Sequence, residues 1–131
     1  VTLYCDVTVR HGFDLGFGMS QGESQPSPQR VFTIDPDAGL IYVVAGNREG
    51  TVLEAARVTA TTIEFPPFQV EDLFPQVPAG AEGSGFERIN RVSGRYDAQT
   101  NVGQHGETIS SSTYTGQCEA GEPVPFPTGR F

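Results

Sequence analysis

Val1-Thr2-Leu3-Tyr4-Cys5-Asp6-Val7-Thr8-Val9 is the stretch that decides the fold: Val1, Leu3, Cys5, Val7 and Val9 fall on one face, Thr2, Asp6 and Thr8 on the other. A two-residue period is that of a half-buried β-strand, so Cys5 points inward with the apolar set. The only other cysteine, Cys118, ends a second strand-like stretch, Glu107 to Cys118, near the far end of the chain. Both are flanked by polar and turn residues, in Tyr4-Cys5-Asp6 and Gly116-Gln117-Cys118-Glu119, and neither belongs to a CxxC or Cys/His ligand spacing. Two readings follow. The thiols are small buried core residues, or they form a disulfide that brings the first and last strands within about 7 Å. The polar flanks favour the bridge. Closing a loop on the order of 100 residues would remove roughly 4–5 kcal/mol of denatured-state entropy, and it points to an oxidising compartment, periplasmic or extracellular.

The composition agrees with a β-protein. In 131 residues there are 16 Gly, 10 Pro and no Trp, and only 18% of the residues are charged. That suits one turn-rich domain, here residues 1–118, followed by a proline-rich extension, 119–131. Acidic residues outnumber basic ones 16 to 8, for a net charge of −8, so a nucleic-acid backbone would be repelled. No stretch approaches the roughly 20 apolar residues of a membrane-spanning helix. The chain opens on Val1 rather than Met, as a mature product would after loss of a signal peptide and as an excised segment would equally.

Outward from the first strand, Arg10 to Gln29 reads as a long loop rich in Gly, Ser and Pro. Arg30 to Asp35 and Leu40 to Ala45 read as a hairpin around Asp35-Pro36-Asp37-Ala38-Gly39, where Pro presets φ and Gly takes a positive one. Asn47-Arg48-Glu49-Gly50 turns the chain into Thr51 to Phe65, read as strand, including the ambiguous Leu53 to Arg57. Pro66 to Gly85 reads as a second loop with a helical turn at Val70 to Phe74. Phe86 to Val92 and Arg95 to Thr100 form a hairpin about Ser93-Gly94, and Glu107 to Cys118 closes the set. The expected fold is all-β, a small antiparallel meander of seven to eight strands closed into a barrel or sandwich. The tail from Glu119 to Phe131 is expected to be an extended, polyproline-like arm.

Catalytic chemistry finds little purchase. His11 and His105 are far apart in sequence and lack HxH or HExxH spacing, so they read as solvated loop residues and no metal is expected. Ser110, Ser111 and Ser112 lie in no GxSxG elbow and read as the polar face of an edge strand. Asp35, Asp37 and Gly39 echo a calcium loop but lack its closing glutamate. Glu64, Glu71 and Asp72 are carboxylates that nothing in the sequence assembles into one cleft. There is no phosphate-cradling glycine loop. No catalytic residue and no cofactor is expected.

Binding chemistry has more candidates. Phe13, Phe17, Phe68, Phe74, Phe126 and Phe131 lie in presumed loops or the tail rather than in strands. Some are needed to cap the ends of the fold; the others would form apolar contact surfaces. Arg88, Arg91 and Arg95 hold three of the eight basic residues within one hairpin. They either pair with Glu87 and Asp97 as surface salt bridges or make a positive docking spot.

Taken together, Leu3-Tyr4-Cys5, Phe32-Thr33-Ile34-Asp35, Ala60-Thr61-Thr62-Ile63-Glu64-Phe65, Ile89-Asn90-Arg91-Val92-Ser93-Gly94-Arg95-Tyr96 and Gly116-Gln117-Cys118 resemble a loose class of small exported bacterial β-proteins with N- and C-terminal cysteines and an INR-x-[ST]-G hairpin. The chain is also distantly similar to the periplasmic inhibitors of c-type lysozyme. Those barrels have a Ser-Gly-x-x-Tyr motif and a tryptophan, whereas here Ser93-Gly94-Arg95-Tyr96 is one residue shorter and Trp is absent. The expectation is a non-enzymatic exported binding or structural subunit that contacts a protein partner or its own copies through the Phe-bearing loops and the tail. The alternatives are an inhibitor of a cell-wall hydrolase presenting Ser93 to Tyr96, or a lipocalin-like binder of a small apolar ligand.

Overall fold

The computed structural model describes residues 1–14 and 19–128. The elements run β1 (Thr2–Asp14), β2 (Met19–Gln21), β3 (Gln25–Pro26), β4 (Arg30–Asp35), β5 (Leu40–Ala45), β6 (Val52–Glu54), β7 (Arg57–Val58), β8 (Thr62–Glu64), α1 (Val70–Leu73), β9 (Ala81–Asn90), β10 (Arg95–Gln104) and β11 (Glu107–Ala120). All strand pairings are antiparallel, in the order β6-β5-β4-β1-β11-β10-β9-β8-β7, with β2 and β3 added against β1. The sheet curls into a half-barrel. Its inner face is filled by Val7, Phe32, Ile34, Ile41, Val43, Ile63, Phe65, Ile89, Tyr96 and Ala98. Phe32 meets Phe65 edge-on at 4.9 Å and stacks with Tyr96 at 5.9 Å, which ties the two halves of the sheet together.

The opening alternation holds in burial from Cys5 onward, while at the start Val1 is exposed and Thr2 buried. Cys5, Val7 and Val9 are buried, and Asp6 and Thr8 are exposed. Cys5 pairs in register with Cys118, and the two are joined by a disulfide with Cα atoms 3.9 Å apart. The amide of Cys118 donates away from β1, to the carbonyl of Gly94 at 2.8 Å. The bridge therefore spans a non-hydrogen-bonded position, where opposed side chains come closest.

Four sequence readings change. Arg10 to Gln29 is not one loop: β1 continues to Asp14 because β11 offers partners as far as Phe13↔Ser110. β2 and β3 then fold back to pair the part of β1 that β4, ending at Cys5↔Arg30, does not reach. Leu53 to Arg57 is strand at both ends only. Ala55 donates to Gly39 on one side and Ala56 to Glu64 on the other, so the chain passes here from one edge of the sheet to the opposite edge. β9 begins at Ala81, inside the presumed second loop. Its glycines are there for clearance: a Cβ on Gly85 would stand 2.0 Å from the Gln99 carbonyl, and one on Gly83 2.8 Å from Val70 in α1. The extra pieces bring the strands to eleven among the described residues.

The tail is not a free arm. β11 runs past Cys118 to Ala120, after which Gly121 donates to the Thr2 carbonyl at 3.0 Å. Val124 donates to Thr2 Oγ1 at 2.9 Å and accepts from Thr33 Oγ1 at 2.6 Å, and the two hydroxyls lie 2.8 Å apart. This hydrogen bonding explains why two threonines on the outer face are buried.

Two stability measurements follow. Replacing both cysteines by Ala should lower unfolding free energy by about 4–5 kcal/mol, read as a shifted guanidinium midpoint; an unchanged midpoint would remove the bridge as a stabilising element. Truncation before Glu122 should cost about 1–3 kcal/mol by stripping partners from Thr2 and Thr33, measured by the same titration.

Candidate functional site

The core contains charges that pair with one another. Glu87 stands on the inner face of β9, in phase with Ile89 and opposite Ala98. Its carboxylate accepts from the Tyr96 hydroxyl and from Arg48 Nη2 at 3.1 Å. Arg30, at the start of β4, donates through Nη1 to the Tyr96 oxygen at 2.9 Å and lies 3.6 Å from Glu87 Oε2. Arg48 sits in the turn between β5 and β6 at a φ of 62°, a left-handed conformation uncommon for a residue with a Cβ. From there it reaches inward. Nη1 donates to the Pro66 carbonyl at 2.8 Å and lies 3.9 Å from Asp72 of α1, and the guanidinium stacks 4.2 Å over the Phe68 ring. Arg48 Nε is buried with no hydrogen-bond partner among the described residues.

Burial pushes the Glu87 carboxyl above its usual value of 4.5, against the opposing pull of Tyr96, Arg30 and Arg48. Burial, and then the charge of Glu87, also hold the Tyr96 hydroxyl well above its ordinary range, so it stays a donor. A raised carboxyl means that the folded protein keeps this proton to higher pH than the unfolded chain does. The penalty of ionising Glu87 is therefore absent below its unfolded value of 4.5 and grows as pH rises toward the folded value.

On the other side of Arg30 lies a groove of about 540 Å³. β1 and β11 form its floor with Val9, His11 and Tyr114, the segment Gln25 to Gln29 one wall, and Ala45, Gly46, Asn47 and Glu49 the other. The guanidinium of Arg30 lies 4.1 Å over the Tyr114 ring. His11 is a strand residue, not a loop one, and its Nδ1 is 2.7 Å from Ser112 Oγ on the paired strand. That is the spacing of a base and a hydroxyl nucleophile. Among the described residues, no carboxylate orients the other ring nitrogen of His11. A second recess of about 380 Å³ opens at the opposite end of the barrel, lined by Val1, Leu3, Ile63, Ile89, Val92 and the β9–β10 turn.

The aromatic candidates separate. Phe13 is 53% exposed at the far end of β1, whereas Phe68 is only 2% exposed, being packed under Arg48. Of the two roles open to a loop Phe, Phe68 takes the capping one and offers no contact surface. Phe74 is half-buried, and Phe126 is half-buried with its ring 6.3 Å from that of Tyr42. Phe17 and Phe131 lie outside the described residues. Arg88, Arg91 and Arg95 are exposed. Arg88 lies between Glu64 and Asp97 in register, Arg95 Nε is 3.1 Å from Asp97, and Arg91 donates to the Thr59 carbonyl at 2.6 Å. His105 occupies the β10–β11 turn, with His105 and Gly106 both at positive φ, as a two-residue hairpin turn requires.

Arg30 and Arg48 were not singled out from the sequence, and Glu87 was read only as a surface salt-bridge partner of Arg88, Arg91 or Arg95, whereas it is buried and pairs with Arg48, Arg30 and Tyr96. One signal was present: Glu87 alternates in phase with Ile89, which marks it as inward-facing. Comparison with protein-family models, with curated proteins and with solved structures finds no match to this chain.

Glu87→Ala should destabilise by about 3–5 kcal/mol, because it strands two buried guanidinium groups. In a denaturant series from about pH 4 to about pH 8, wild type should lose stability relative to Glu87→Gln as pH rises. A constant difference would mean that Glu87 titrates alike in both states.

Proposed function

We propose that this chain is a non-enzymatic, exported binding domain that docks onto a protein partner or another copy of itself. The observation that carries this reading is the apolar end of the long β1–β11 pair. Phe13 is 53% exposed and Ile109 43% exposed, and Phe13 pairs with Ser110, the residue next to Ile109. Exposed large apolar groups at one end of a long paired two-strand element are the kind of surface a protein contact uses. The disulfide between first and last strands supports an oxidising compartment. The ionisable groups of the core support a structural role for themselves, since Glu87, Tyr96 and Arg48 are spent on one another and on the Pro66 carbonyl.

The inhibitor-like alternative draws less support from the geometry. Tyr96 is fully buried, which leaves Ser93, Gly94 and Arg95 as the accessible part of that hairpin. A lipocalin-like role would have to use an end of the barrel, because Phe32, Phe65 and Tyr96 fill its middle.

The test is native mass spectrometry and light scattering of the unreduced protein, with whatever co-purifies, against Phe13→Ser/Ile109→Ser. The double variant should keep its unfolding midpoint and weaken association at least about tenfold, a loss of roughly 1.4 kcal/mol. Unchanged association, or a lone monomer with no partner, would sink the reading.

A further inference from the structure

We infer that the groove beside Arg30 is a recognition site for a carboxylate group carried on an apolar or aromatic body. The inference rests on the binding-domain reading and names the chemistry of a ligand. Arg30 is the reason. Its side chain is 6% exposed, and it is held from two sides, by Tyr96 at Nη1 and by the face of Tyr114 at 4.1 Å. Among the described residues Nε and Nη2 have no partner, and these atoms are not sealed in as Arg48 Nε is. Nε and Nη2 form the side-on edge of a guanidinium, whose two parallel N–H bonds match the two oxygens of a carboxylate.

The surroundings favour such a guest. Two buried guanidinium groups face one buried carboxylate, Glu87, and the nearby Asp72 is partly exposed and 3.9 Å from Arg48. The interior behind the groove therefore carries surplus positive charge, in a chain whose net charge is −8. The groove has its own carboxylate, Glu49, which accepts from the Gly46 amide at 3.3 Å. Gly46, at φ 139°, lays the turn backbone over the stem of Arg30: a Cβ there would be 3.6 Å from Arg30 Cγ. The guanidinium is thus fixed before any ligand arrives, which lowers the ordering cost of binding. Val9, Pro26, Pro28 and the ring of Tyr114 supply apolar surface for the rest of the ligand. A volume of about 540 Å³ admits a molecule the size of an N-acylated aromatic amino acid.

The experiment titrates the intact, oxidised protein with N-acetyl-phenylalanine, its amide, inorganic phosphate and a short peptide ending in a free Phe carboxylate, followed by NMR shifts of Arg30 Nε–H and the groove amides. The acid should bind at least about tenfold more tightly than the amide and than phosphate, and Arg30→Gln should abolish the difference. If Arg30→Gln does not fold, Tyr114→Leu, which leaves the Glu87 pairing in place, should weaken the acid several-fold. Tighter binding of the peptide would identify a chain terminus as the source, and equal binding a small organic acid. The inference is overturned if acid and amide bind alike, if phosphate matches the acid, or if neither variant alters binding. Because the probes are small, a failure here is scored separately from the protein association tested through Phe13 and Ile109.

Discussion

The pairing of β1 with β11 is the constraint on which the rest of the molecule depends. It runs without a register break from Leu3↔Ala120 to Phe13↔Ser110, and the disulfide fixes it at Cys5↔Cys118. Joining strands 113 residues apart is entropically expensive for a chain this short. Once joined, β1 presents its other edge to β4 and β11 its other edge to β10, so both halves of the sheet are templated from this centre. The covalent link and the inward alternation of Val7 and Val9 act on the same strand and in the same direction. That agreement between local pattern and global topology is what gives a sequence one fold.

The second organising feature is electrostatic. A core that already buries Phe32, Phe65 and Ile89 could have been completed with apolar residues, often at no loss of stability. It holds instead a carboxylate, a phenol and two guanidinium groups whose mutual geometry leaves little choice of arrangement. Arg48 adopts a left-handed backbone conformation to take part, and its stacking on Phe68 draws the 66–73 segment onto the barrel. The network thus ties β4, β9, β10, the β5–β6 turn and the α1 segment together at one point. Arg30 belongs both to this interior and to the lining of the groove.

Much of this was legible in the sequence because period and chemistry coincided. The alternation through Val9 has one physical reading, the composition of Asp35 to Gly39 favours a hairpin turn over a calcium loop, and the polar flanks of the two cysteines favour a bridge over buried thiols. The Asp35 side chain accepts from the Ala38 amide at 3.1 Å, as a turn of that composition should. The losses came where one residue type serves two purposes. Gly83 and Gly85 signal a loop by composition, yet in β9 they supply clearance for α1 and for the backbone of β10. Gly12 and the polar residues after Val9 look irregular, although β11 continues to pair them. Phe68 reads as an exposed loop aromatic because nothing local reveals an arginine 20 residues earlier that will cover it. The groove was invisible for the same reason: Arg30, His11, Glu49 and Tyr114 are scattered through the chain and converge only after the sheet has curled.

The passage through Ala55 and Ala56 bears on how the protein behaves in company. A curled sheet that is not laterally zipped has two free borders, and free borders invite neighbouring chains to extend the ladder. Along the main strand order those borders are β6, of three residues, and β7, of two, successive parts of the same bent segment, and the off-path strands β2 and β3 are as short. Each is too short to template another strand, and the chain joins β6 and β7 directly at Ala55 and Ala56, which are held to Gly39 on one side and to Glu64 on the other. Along these two borders the fold therefore resists indiscriminate fibre-like stacking by geometry rather than by charge.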